Sequence, residues 1–146
     1  MTKEFYFTEN CFVCGRNNKH GLNYKIERTP DKAVLNCVLE KKYESFEGVV
    51  HGGMVSLLID EVLWYAFYFK GLTTVTKKLE INFLKPLLIG ESVSCKGWVE
   101  KPISDETYEG RAQIENSEGH IIATARGEFV VKEELKNKIL VLFNKT

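Results

Sequence analysis

Apolar and polar side chains alternate along most of this chain, and the places where the period changes mark its elements. Residues 23–28 alternate around Tyr24 and Ile26. After the turn Thr29-Pro30-Asp31-Lys32, residues Ala33, Leu35, Cys37 and Leu39 share one face of 33–40. Two alternating runs about such a turn predict a β-hairpin. Residues 54–69 break the alternation. Met54, Leu57, Leu58, Glu61, Trp64, Tyr65 and Tyr68 follow helical spacing, and Val55, Ile59, Val62, Leu63, Phe67 and Phe69 cover the other faces. A helix apolar nearly all round is buried on nearly all sides. Lys70-Gly71 supplies its stop. The period of two then returns. Val75, Lys77, Leu79, Ile81 and Phe83 oppose Thr76, Lys78, Glu80, Asn82 and Leu84, and Pro86 ends the strand. Three more alternating runs follow, 93–99, 108–114 and 121–131, the last two joined by a tight turn over Asn116–Gly119.

Two strands, one greasy helix and four strands predict an α+β fold in which an antiparallel sheet wraps the helix. Residues 1–146 read as one domain. Residues 1–21 form an irregular lead-in, and the tail 133–146 has a short helix expected over 133–143. A curved sheet with free edges invites a second copy, most simply across a two-fold axis.

Composition narrows the function. With 20 basic and 20 acidic residues the formal charge is zero, which argues against a general nucleic-acid binder. The longest apolar run, Val62 to Phe69, is too short to span a bilayer. The first residues, Met1 to Glu4, lead into no apolar signal core, so a cytoplasmic protein is expected. The four cysteines then read as reduced thiols. Cys11 and Cys14 form a CxxC, but only His20 lies nearby in sequence, so no metal is expected. No helix signal follows Cys14 to favour a redox dithiol, since Gly15, Asn17, Asn18 and Gly21 spell a loop.

Candidate chemistry concentrates in Gly48 to Glu61, G-V-V-H-G-G-M-V-S-L-L-I-D-E. Asp60 and Glu61 sit in an otherwise apolar helix, and burying a carboxylate is costly without a partner or a task. Ser56 lies one turn before Asp60 and makes a small polar stripe with it. Glu61 reads first as a residue of a polar seam. His51 is open to three roles: general base, ligand-positioning group or local hydrogen-bonding side chain. Gly52 and Gly53 permit unusual dihedrals or the close approach of a ligand, and unpaired N–H groups at a helix start attract negative charge.

His51-Gly52-Gly53, six residues, then Asp60-Glu61 resembles the active-site helix of hotdog-fold acyl-CoA thioesterases of the phenylacetate-pathway and hydroxybenzoyl-CoA type. Phe46-Glu47-Gly48 is similar to their lead-in. The strand from Thr74 to Pro86 with Gly90-Glu91 is similar too. So is Cys11-x-x-Cys14-Gly15-x-x-Asn18-x-x-Gly21-Leu22, found in one branch. The likeness spans about residues 11–131. It implies a hotdog fold that dimerises through sheet edges. Its implied catalytic residues are Asp60 as nucleophile or general base, the Gly52 backbone N–H as oxyanion donor, Thr76 as a positioning hydroxyl, and His51. Gly53, Ser56 and Glu61 stand as substrate-binding candidates. It also implies an acyl-CoA substrate and no separate cofactor, since coenzyme A is part of the substrate. Some relatives carry an Asn or Gln upstream of the His-Gly-Gly; here Ser45, Glu47 and Gly48 occupy that stretch.

Gly52 and Asp60 lie eight residues apart, about 12 Å of helical rise. A nucleophile and an oxyanion donor must both lie about 3 Å from one carbonyl. If both serve one carbonyl, the unit is at least a homodimer with composite sites, or a dimer of dimers. A thioester suits one carboxylate and one oxyanion hole, since its carbonyl has little resonance stabilisation and thiolate leaves readily. There is no Gly-x-Ser-x-Gly and no phosphate loop. Lys77, Lys78, Lys85 and Arg126 are candidates for the phosphates of coenzyme A, against the usual reading of scattered cations as a solvated surface. Trp64, Tyr65, Phe67, Tyr68 and Phe69 are candidates for an acyl slot or for core. Two other functions remain open here: a hydratase or dehydratase of the same fold, and a non-catalytic acyl-CoA binding or sensing module.

Overall fold

The computed structural model describes residues 9–135. Six strands and one long helix follow in order: β1 (Glu27–Arg28), β2 (Ala33–Val38), α1 (Gly52–Tyr68), β3 (Thr74–Phe83), β4 (Ser92–Pro102), β5 (Thr107–Asn116) and β6 (Ile121–Val131). The strands form one antiparallel sheet in the order β1-β2-β4-β5-β6-β3. The helix packs against β2, β3, β4 and β5. This is the α+β hotdog arrangement that the sequence pattern and the resemblance predict. The tail helix expected over 133–143 falls outside the described residues from 136 onward.

The helix sits close because the sheet offers it small residues. One cross-strand row reads Gly97, Ala112, Ala125 and Ile81. A Cβ added at Gly97 would lie 3.1 Å from the Val62 backbone. Val55, Leu58, Ile59, Val62, Leu63, Tyr65, Ala66 and Phe67 of α1 are all buried. Phe67 packs tilted on Phe129 of β6, with ring centroids 4.9 Å apart. Burial of a side chain of this kind contributes about 1.5–3 kcal/mol. The Lys70-Gly71 stop forms as expected. Gly71 adopts φ +80°, and the Leu72 N–H returns to the Phe67 carbonyl at 3.0 Å.

Two elements depart from the sequence pattern. The first strand shrinks to two residues because Asn23 takes a left-handed φ of 54° and the Tyr24 N–H bonds the Val13 carbonyl in the lead-in. In β3 the expected alternation is broken by a bulge between Thr76 and Lys78. Strict alternation puts Thr76 on the face of Lys78, Glu80 and Asn82. The bulge reverses this. Thr76 pairs with inward-facing Phe129, while Lys78 pairs with Glu128. Thr74 and Thr76 therefore face the helix.

The outer face of the sheet is polar. Its centre is Glu109, whose side chain is only 2% exposed and pairs with Arg126 and Arg111. Burial works against the Glu109 carboxylate. The hydrogen bond and charge of Arg126, with Arg111 beside them, outweigh that and hold the carboxyl below its ordinary range. Among the described residues, no helix is long and apolar enough to cross a membrane.

Candidate active site

The helix begins where His51 caps it. The His51 Nδ1 accepts a hydrogen bond from the Gly53 N–H at 2.8 Å. Of the three roles open to His51, the structure shows the local one. The bond needs the Nδ1 lone pair, which leaves the ring proton on Nε2. Glycine at 53 has a steric cause, since a Cβ there would lie 3.0 Å from that Nδ1. Glycine at 52 does not. A Cβ there would meet only Phe83 at 3.6 Å, an ordinary contact, and Gly52 has no positive φ. The exposed Gly52 N–H has no acceptor among the described residues. It is an orphan donor at a helix start, facing outward.

Two turns further on, Asp60 is half-buried at the middle of α1. Its Oδ1 accepts from Thr76 Oγ1 at 2.6 Å, a short charge-assisted bond made possible by the β3 bulge. Its second oxygen has no partner among the described residues. Ser56 does not join this pair. Its hydroxyl donates back to the Gly52 carbonyl at 3.2 Å, inside the helix.

Both ends of the site run along β3, the edge strand of the sheet. Phe83 packs at Gly52 and Thr76 holds Asp60. The free edge of β3 is rich in exposed apolar side chains: Val75 at 45%, Phe83 at 57% and Leu84, just beyond it, at 57%. Gly52 and Asp60 belong to one continuous helix, so the structure does not bring them together within one chain.

Glu61 turns to another neighbour. It is half-buried, and its Oε1 lies 3.7 Å from the Cys11 sulfur. Burial first, then the charge of Cys11, push its carboxyl up to about 8. The Cys11 thiol moves the other way, to about 5. The Cys14 side chain beside it favours the thiolate, against the effect of burial. Cys14 Sγ lies 3.2 Å from the Tyr65 hydroxyl. This meeting of lead-in and helix had no signal in the sequence, because 50 residues separate Cys11 from Glu61. His20, the neighbour the sequence offered, is exposed and bonds Asn18 through its backbone.

The remaining candidates sort by burial. Tyr65 and Phe67 are core. Trp64 and Tyr68 stack at 5.1 Å on the partly exposed side of α1. Arg126 is tied to Glu109 and Lys78 to Glu80, while Lys77 and Lys85 are exposed.

A family model described as the thioesterase superfamily matches residues 47–123, which hold His51, both glycines, Asp60 and Thr76. A hypothetical thioesterase protein from Streptococcus pneumoniae TIGR4, solved with coenzyme A, is 25% identical. The match covers 75% of this chain and 89% of that one, with a TM-score of 0.70. The PaaI protein from the phenylacetic acid degradation operon of E. coli is 23% identical over 76% of this chain and 80% of its own, with a TM-score of 0.70. The protein smu.793 from Streptococcus mutans UA159, bound to acetyl CoA, is 20% identical over 75% and 89%, also at 0.70. The last two likenesses show the fold alone. No curated protein matches the chain.

Proposed function

The chain belongs to the thioesterase superfamily, and from that premise we propose that it is an acyl-CoA thioesterase, releasing a free acid and coenzyme A with Asp60 at its centre. The observation that carries the reading is a half-buried carboxylate in an apolar helix, held through one oxygen by Thr76 at 2.6 Å, with its other oxygen open. A hydroxyl that donates to one oxygen keeps the acid oriented and leaves the second for a proton or a carbonyl carbon.

Two routes share this geometry. As general base, Asp60 takes a proton from water, and the hydroxide adds to the thioester carbonyl. The C–S bond then breaks, and the proton returns to the departing sulfur. As nucleophile, Asp60 forms an anhydride with the acyl group, coenzyme A leaves as thiolate, and water hydrolyses the anhydride. In both, the carbonyl oxygen gains negative charge that the Gly52 N–H of a second copy receives. The exposed orphan N–H and the apolar β3 edge beside it support a homodimer, or a dimer of dimers, as the working unit. Gly53, Ser56 and His51 shape the helix start that receives the carbonyl. Glu61 lines the far side of the helix. Coenzyme A enters as part of the substrate, and no separate cofactor takes part. The cytoplasm fits four cysteines among which no disulfide forms. A coenzyme A complex in the S. pneumoniae protein supports the substrate class.

The test is release of free thiol from a panel of acyl-CoAs by the wild type and by Asp60→Asn. Loss of about 10³-fold or more in kcat is expected. Undiminished release in the variant removes Asp60 from the mechanism. Binding of acyl-CoA without thiol release points instead to a sensing module, and loss of an enoyl absorbance without thiol to a hydratase. Oxygen-isotope incorporation into Asp60 in a single turnover separates nucleophile from base.

A further inference from the structure

Acyl transfer leaves one constellation unused. The sulfurs of Cys11 and Cys14 and one carboxylate oxygen of Glu61 lie within 4.8 Å of one another, and the Cys11 sulfur is 3.7 Å from Glu61 Oε1. Around a tetrahedral zinc ion, with bonds of about 2.3 Å to sulfur and about 2.0–2.2 Å to oxygen, sulfur and oxygen ligands stand roughly 3.5 Å apart. The Cys11–Glu61 distance differs from this by a few tenths of an ångström, and the other two pairs, within 4.8 Å, are brought to it by side-chain rotation.

The cluster is built by the fold. The Gly15 N–H closes the Cys11–Cys14 turn on the Cys11 carbonyl at 2.8 Å. A Cβ at Gly15 would lie 2.4 Å from the Cys11 nitrogen, so only glycine permits this turn. The loop is then fastened at several points. Asn17 N bonds Glu9 O at 2.8 Å, Asn18 Nδ2 bonds Asn10 O at 3.0 Å, and Leu22 N bonds Phe12 O at 2.8 Å. Opposite it stands Glu61, a half-buried carboxylate. Among the described residues, no Lys, Arg or His side chain forms an ion pair with it.

We propose that Cys11, Cys14 and Glu61 bind one thiophilic divalent cation, zinc(II) in class, which clamps the lead-in to α1. Two sulfur donors select against magnesium and calcium, which take oxygen ligands. On binding, the two thiol protons pass to solvent, Glu61 ligates as carboxylate, and solvent completes the fourth position. The clamp adds a metal where the CxxC and His20 alone gave too few ligands. It stands independently of thioester hydrolysis.

The full chain, reduced with a thiol-free reductant and stripped with a chelator, is titrated with cobalt(II) and then with zinc(II). The expected result is one equivalent of cobalt bound, with thiolate-to-metal charge transfer and ligand-field bands of four-coordinate intensity, all bleached by zinc. Cys11→Ser and Cys14→Ser lose the charge-transfer band, and Cys37→Ser keeps it. Glu61→Gln retains sulfur ligation with affinity weaker by about tenfold or more. On the wild type itself, zinc protects Cys11 and Cys14 from alkylation and leaves Cys37 unchanged, a readout independent of variant folding. Absence of cobalt bands, bands that survive in Cys11→Ser, or alkylation of Cys11 unaffected by zinc overturns the site.

Discussion

Replacing Gly97 with alanine should push α1 away from the sheet. The new Cβ would lie 3.1 Å from the Val62 carbonyl carbon, from its oxygen and from its Cγ2. The carbon and oxygen are helix backbone and cannot rotate aside, so the helix must move as a body or the strand must bend. Overpacking of this kind costs about 1–3 kcal/mol. Alanine recovers about 0.4–1 kcal/mol by restricting the unfolded chain. The mid-range values leave a net loss of about 1.3 kcal/mol, or a fall in Tm of roughly 3–5 °C for a domain of this size. Gly110→Ala is the internal control. Its Cβ would be equally close, 3.0 Å, but to Leu63 Cδ2 and Phe67 Cε2, the far ends of side chains that can turn. It should cost less. Thermal melting and urea unfolding of both variants against the wild type measure the difference. If Gly97→Ala equals the wild type in stability, or Gly110→Ala proves the more damaging, the close seat of α1 on the Gly97-Ala112-Ala125 row is wrong. Val62 is two residues from Asp60, so the same shift should lengthen the Asp60–Thr76 bond and lower kcat as well.

Three further outcomes follow from particular contacts. Thr76→Val keeps shape but removes the donor to Asp60; with both groups partly in water, stability should change by less than about 1 kcal/mol. Thiol-release kinetics should show kcat falling about 10-fold with KM nearly unchanged, and a kcat within twofold of wild type would remove Thr76 as a positioning group. Glu109 has a folded-state pKa below its ordinary 4.5, so its contribution to stability is present above that pH and lost as pH falls through the lower folded value. The stability gap between wild type and Glu109→Gln, followed by urea unfolding from pH 6 down to pH 2 (about the carboxylate titration range), should therefore narrow as acid is added. A gap independent of pH contradicts the ion-pair assignment. Asn116→Ala removes the side chain that bonds the N–H groups of Glu118 and His120 and the Glu91 carboxylate. A loss of about 1–3 kcal/mol in equilibrium unfolding is expected, and none would mean that Gly119, at φ +80°, holds the β5–β6 turn by itself.

What the sequence determined alone was local or periodic. The apolar helix, the strand count, the turns at Pro30 and Gly119, and the lone acidic pair in a greasy segment all follow from residue type and spacing, because side-chain direction repeats every 3.6 residues in a helix and every two in a strand. Asp60 was legible as a candidate for the same reason: a carboxylate there conflicts with the burial pattern. Other features were decided only when the chain closed on itself. The bulge after Thr76 reversed the strand's facing and put the hydroxyl against Asp60, although strict alternation turns it outward. Glu61 met Cys11 across 50 residues. Glu109, unremarked in an alternating strand, became the buried centre of an arginine pair. Each is a contact between segments distant in sequence, and no repeat along one segment encodes what a neighbouring strand or loop will place beside it.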